Sequence, residues 1–243
     1  MRAISIIFKR ELKAYLRSPF TWVIAALFLL IDGILFQAFG FGGQKSPLSA
    51  YVLEQFFIYG GLSLAIAAVA LSFRLVSEER QNHSMVLLNT SPIRDVDIIV
   101  GKFLAALVFL VFLVALSFYI PLMLKVGNKI TYTQILVGYV GMVLFGAAML
   151  AIGIFASSLT RYQLVAVVIA AVIAAVMSLL WKFSTRLEGT PREVLGDLDL
   201  WWMHYQFSFA RGILNLKDVV YYLATTYFFL LLSVKTLEAK RWQ

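Results

Sequence analysis

The stretch Ile135-Leu-Val-Gly-Tyr-Val-Gly-Met-Val-Leu-Phe-Gly-Ala-Ala-Met-Leu-Ala-Ile-Gly-Ile-Phe-Ala-Ser-Ser-Leu159 runs 25 residues without a charged side chain. A helix rising 1.5 Å per residue needs about 20 apolar residues to cross a hydrocarbon core about 30 Å thick, so this run is long enough to span a bilayer. Working outward from it, runs of the same kind lie near 20–39, 56–73 and 98–124 on one side and near 164–181 and 219–234 on the other. Inside a bilayer only a helix or a closed barrel satisfies every backbone N–H and C=O, and uninterrupted apolar runs of this length belong to helices. The fold class expected is therefore an all-α integral membrane protein, a six-transmembrane-helix bundle forming a single domain over residues 1–243.

Composition agrees. Of 243 residues 61% are hydrophobic and only 14% charged, with a mean hydropathy of +0.86. Soluble domains carry roughly 25% charged residues, so a water-soluble fold is excluded. No cysteine is present and only two histidines, His83 and His204, which removes thiolate chemistry and leaves little for a metal. The net charge of +8 is spread over short segments between apolar runs, which fits membrane topology and gives no nucleic-acid surface.

Arg2, Lys9, Arg10, Lys13 and Arg17 precede the first span, whereas the next loop carries only Lys45. By the positive-inside rule the N-terminus is cytoplasmic, and an even number of spans returns Lys235, Lys240 and Arg241 to the same side. The expected location is the bacterial inner membrane, with the first span retained and not cleaved as a signal peptide. Within residues 1–18, Ile4, Ile7, Phe8, Leu12 and Tyr15 recur at helical spacing and the cations take other faces, predicting an amphipathic interfacial helix that ends at Ser18-Pro19.

Inside the spans, Gly138, Gly141, Gly146 and Gly153, then Ala166, Ala170 and Ala174, give the small surfaces that let helix backbones approach. Asp32 is the conspicuous intramembrane carboxylate, read either as a helix-packing contact or as part of a translocation path shared with Gly138 and Gly141. Residues 182–218 are expected to form an extracytoplasmic loop whose aromatic run Trp201-Trp202-Met203-His204-Tyr205 suits the headgroup level. Trp201, Trp202, His204 and Arg211 are its candidate gate or interface residues.

The segment 77–94 is the most informative cytoplasmic one. Glu78-Glu79-Arg80 leads into Ser84-Met85-Val-Leu87-Leu88, where Ser84 caps a short helix, Met85 and Leu88 share a face, and Pro92 stops it. An apolar knob flanked by charges fits a socket on a soluble partner or a bed of lipid equally well.

That run, with Thr90-Ser91-Pro92, resembles the segment after the second helix of type-2 ATP-binding-cassette permeases. The likeness extends along the whole chain. The ending Phe209-Ala-Arg211-Gly212-Ile-Leu-Asn-Leu-Lys-Asp218, with Leu237-Glu238-Ala239-Lys240-Arg241-Trp242, is most similar to the gliding-motility-associated branch; the permease of nitrous-oxide reductase maturation is a near relative. Ser84-Met85 stands where many relatives have Gly-Thr. The resemblance implies a non-catalytic membrane subunit whose coupling helix, through Glu78, Glu79, Arg80, Met85 and Leu88, docks on a separate ATPase. It further implies that ATP and magnesium bind that partner, in two copies, with no cofactor in this chain, and that the loop 182–218 is re-entrant, dipping back into the outer leaflet before the last span. A homodimer or a heterodimer with a related permease, and an auxiliary subunit with a large periplasmic domain, complete the implied assembly.

The residues support a separate motor on their own account, because no G-x-x-x-x-G-K-[ST] phosphate loop exists: Gly101-Lys102 is followed by Phe103, and Gly43-Gln-Lys45-Ser46 has the wrong spacing. An intramembrane protease is the nearest enzyme reading of Glu78-Glu79, but Arg80 follows too closely and no set of histidines accompanies it. A secondary transporter needs several buried ionisable groups near the midplane, where the sequence offers Asp32. A membrane anchor for an ATPase complex that moves no solute fits the same sequence.

Overall fold

The computed structural model describes residues 2–40, 49–81, 93–126 and 130–240. All regular structure among these residues is helical. In chain order the helices are α1 (Arg2–Arg17), α2 (Pro19–Leu35), α3 (Ser49–Ser72), α4 (Arg74–Gln81), α5 (Asp95–Leu116), α6 (Tyr119–Val126), α7 (Tyr132–Leu159), α8 (Gln163–Ser184), α9 (Thr190–Asp197) and α10 (Leu216–Lys240). A π-helical turn, Phe36–Gly40, extends α2, and short π and 3₁₀ turns, Trp202–Gln206 and Phe209–Arg211, precede α10. Six stretches are long and apolar enough to cross a membrane: Pro19–Ala38, Ala50–Gln81, Asp95–Lys125, Tyr132–Leu159, Gln163–Ser184 and Leu216–Lys240. The helical bundle of six spans is the fold that hydropathy predicts.

Two spans outrun their apolar cores. The second continues nine residues beyond Ser72, to Gln81, with a break at Phe73, so that α4 carries Glu78, Glu79 and Arg80 on a helix nearly continuous with α3. The third spans Asp95 to Lys125 with a turn at Ser117-Phe118.

α7 is the hub. Of its apolar window 78% is buried, against 17% for α8, because α3, α5, α8 and α10 all pack on it. A helix packed by protein over most of its surface, with only apolar residues such as Leu136 and Val140 left outward, has no use for a polar face, which is why α7 is apolar all round. Its glycines are occupied by neighbours. A Cβ on Gly138 would fall inside contact distance of the Phe57 ring and on Gly141 inside that of Phe209, and on Gly146 it would lie 2.9 Å from Leu110. On Gly153 it would fall inside contact distance of the Ser72 hydroxyl and 2.8 Å from the Ser72 Cβ. Without a hydrophobic drive between helices in lipid, such close approach supplies the dispersion that holds the bundle.

The amphipathic N-terminal helix is present, and its apolar stripe is covered by protein. Ile7 and Tyr15 are buried. Ile7 fills the space over Gly101 of α5, Tyr15 stacks on Phe109 at 5.6 Å, and the Tyr15 hydroxyl donates to the Leu71 carbonyl at 2.9 Å. Ile6 and Leu16 stay exposed among Lys9, Lys13 and Arg17.

Gly153→Ala should lower the thermal stability of the detergent-purified protein by an overpacking cost of about 1–3 kcal/mol. Adding Ser72→Gly in the same chain should restore most of it. Equal melting of the single and double variants would show that the α3–α7 approach is not tight.

Candidate functional site

α1, α4, the C-terminal end of α7, the start of α8 and the end of α10 meet at one face of the bundle. Here the break at Phe73 leaves the first N–H groups of α4 without intrahelical acceptors. Ser157, from α7, takes two of them: its Oγ accepts from the Val76 and Ser77 backbone N–H at 3.0 and 2.9 Å. The exchange is reciprocal. Arg80 of α4 donates to the Ser158 carbonyl at 2.6 Å, and Lys240 of α10 donates to the Leu159 and Ser158 carbonyls at 2.6 and 3.2 Å. Two cations thus close the negative end of the most deeply buried helix. Each such bond to a charged group contributes about 1.5–3 kcal/mol, more than neutral bonds of the same length.

A second junction ties α4 to α1 and α5. Lys102 is 1% exposed. Its Nζ sits 3.0 Å from Glu11 Oε1 and 3.0 Å from Glu79 Oε1, and Arg10 Nη2 lies 2.6 Å from each of the same oxygens. Two carboxylates and two cations form a neutral ring, so the buried lysine is compensated. Burial works to push Glu11 upward, but Lys102 and Arg10 outweigh it and hold its carboxyl below the usual carboxylate range. Beside the ring lies a polar cleft of about 430 Å³ bordered by Arg10, Ser18, Arg74 and Glu78. Glu78 is the outward member of the acidic pair, half-exposed, with Arg74 Nε 3.9 Å away.

Of the expected coupling residues, then, Glu79 and Arg80 are engaged by the chain's own helices and Glu78 faces outward. Met85 and Leu88, with the expected helix between Ser84 and Pro92, lie outside the described residues.

At the opposite face the aromatic loop folds back into the bundle. Asp199 organises it: one carboxylate oxygen accepts the N–H groups of Trp201, Trp202 and Met203, the other that of Trp181. Tyr205 is fully buried, fills the space over Gly61, and donates to the Phe57 carbonyl at 2.7 Å. His204 is buried too, with Nδ1 2.6 Å from Asp218 Oδ1, Nε2 3.0 Å from the Asp197 carbonyl, and Tyr221 stacked on its ring at 3.9 Å. Ser208 donates to the other oxygen of Asp218 and not to His204, so the three side chains lock a turn and do not form a nucleophile–base pair. Arg211 pairs with Glu54 at 3.0 Å on the exposed rim.

Between α3, α7 and α8 runs an apolar groove of about 670 Å³, bordered by Ile66, Val69, Met149 and Ala174 and by Trp201 and Trp202. Trp202 stacks on Trp181, with Lys182 4.7 Å above its ring.

A family model described as ABC-2 family transporter protein matches residues 5–191. The chain belongs to this ABC-2 family. No curated protein matches it in sequence. The matched region takes in the Lys102 junction, the contacts of Ser157 and Arg80, and the groove's helices α3, α7 and α8; residues 192–243, with the folded-back loop and α10, including Lys240, fall beyond it. Membership makes the chain a multi-pass permease subunit of an ABC transporter and implies an ATPase in a partner chain.

Lys102, Glu11, Ser157 and Asp218 are the residues of this ABC-2 permease that sequence reasoning passed over. Lys102 had a signal, being a lone cation inside an apolar run. Glu11 had one also: it falls four residues after Ile7, on the apolar stripe of α1.

Lys102→Met should leave Glu11 and Glu79 with Arg10 as their one remaining cation in the ring, an uncompensated negative charge, and destabilise the permease by about 3–5 kcal/mol, with partial recovery on adding Glu11→Gln. Melting curves of the three proteins check this. Because Glu11 is held below its unfolded value of roughly 4.3, its contribution is present above that pH and is lost as pH falls through the folded value. Limited proteolysis should accordingly cut α1 faster below about pH 4, and Glu11→Gln should flatten that dependence.

Proposed function

We propose that this permease receives the stroke of a separate ATPase through α4 and the segment that follows it, and delivers it to α7. The observation that carries the reading is the pair of junctions that fasten α4 on two sides, Ser157 and Arg80 to α7 and Glu79 to Lys102 and α1. A helix fastened in this way moves with its neighbours as one body. Glu78, Met85 and Leu88 make the contact with the ATPase; Glu79 and Arg80 hold the base from which that contact is presented. ATP and magnesium bind the partner, in two copies, and a second permease chain, identical or related, completes the membrane core. The α1 face is cytoplasmic, and the membrane is the bacterial inner membrane.

The apolar groove favours transport over passive anchoring. Its walls are aliphatic and aromatic and include two indoles beside a lysine, which suits an apolar or amphiphilic cargo with an anionic end. Work in a gliding-motility complex with a periplasmic auxiliary subunit is the branch that the residues around Arg211 and Lys240 support.

The test is purification of the tagged permease from membranes with its ATPase. A co-purifying chain that carries a phosphate loop, with vanadate-sensitive hydrolysis, is expected. Met85→Asp with Leu88→Asp should remove it, and Glu79→Ala with Arg80→Ala should weaken it several-fold. Unchanged binding and hydrolysis in both double variants would overturn the reading.

A further inference from the structure

Asp32 of α2 is 1% exposed, and neither of its carboxyl oxygens has a hydrogen-bond partner among the described residues. Its surroundings are apolar: Oδ1 lies 3.0 Å from the position a Cβ would take on Gly60 of α3, and the Met142 methyl of α7 approaches the same point at 3.2 Å. Two phenols, Tyr139 and Tyr205, lie within electrostatic reach of it. Both are committed elsewhere, Tyr139 to the Ser117 hydroxyl at 3.2 Å and Tyr205 to the Phe57 carbonyl. No Lys, Arg or His from α2, α3 or α7 pairs with Asp32 among the described residues. The backbone beside it departs from regular geometry as well. The Phe36 N–H is shared between the Asp32 and Gly33 carbonyls where α2 gives way to the π-helical turn Phe36–Gly40, an irregularity that gathers at functional positions.

An ionised carboxylate without donor or counter-ion is among the costliest groups to bury, and in lipid the cost has no solvent to lessen it. Neither the apolar groove nor the polar cleft is bordered by Asp32.

We propose that Asp32 is a proton-binding site of the permease, carrying the neutral acid while α2 and α3 are packed at Gly60. The acid needs no counter-ion, which reconciles the burial with the missing partner. It also links protonation to conformation: the α2–α3 seam opens to water with release of the proton, and closes on its return. This inference is independent of the ATPase assignment, since it concerns the resting chain alone.

Infrared spectroscopy of the permease in lipid nanodiscs at neutral pH tests it. The wild-type chain should show the C=O stretching band of a protonated carboxyl, and carbon-13 labelling of the aspartate side chains should move that band. Asp32→Asn should abolish it. Gly60→Ala, which presses on Oδ1 without removing the acid, should shift its frequency and supplies the assignment where Asp32→Asn does not fold. Absence of the band, or a band that neither substitution alters, would overturn the proposal.

Discussion

Everything at the α1 face depends on the last turn of α7. A helix that ends inside a protein leaves carbonyl groups unmatched, and one that starts after a break leaves N–H groups unmatched; in or near lipid neither finds water. Here the two deficits meet. The Ser157 hydroxyl serves the start of α4, while Arg80 and Lys240 serve the end of α7. Each helix completes the other, so α4 has a fixed place only where α7 provides one. The Lys102 ring then brings α1 to the same assembly, and the N-terminal helix becomes part of the protein body and not a float on the leaflet.

This arrangement gives the acidic pair two different tasks. Glu79 is turned inward to a buried lysine and Glu78 outward, although the two are adjacent. Adjacent residues on a helix point about 100° apart, so one faces protein while the other faces away. In the proposed coupling to a partner ATPase, this rigid base beneath the contact segment would turn a push into displacement of the buried hub.

The spans were legible because a bilayer imposes length and apolarity directly, and the chain obeys both, as residues 135–159 do without one charge. The α7 glycines were legible as packing sites in kind, though not in partner: nothing local to Gly138 or Gly141 indicates that Phe57 and Phe209 fill them. Ser157 was invisible because a serine near the end of an apolar run has no periodicity to betray a role 80 residues away in sequence. His204 was read among the amphipathic rings of an interface, whereas Asp218, at the start of the last span, draws it into the interior. Long-range pairing of polar groups is set by the packed bundle, and a single sequence shows only the residues that will need a partner.

In the proposed mechanism α7 is driven through its bond to α4. The most direct measurement is ATP-driven movement of α7, followed by the distance between spin labels on its two ends and the second permease chain, in the complex with its ATPase. With Ser157→Ala and Arg80→Gln in place, and the ATPase added at a concentration that saturates its weakened binding, the ATP-dependent change in distance should shrink or disappear. An unchanged displacement in that variant would contradict the account.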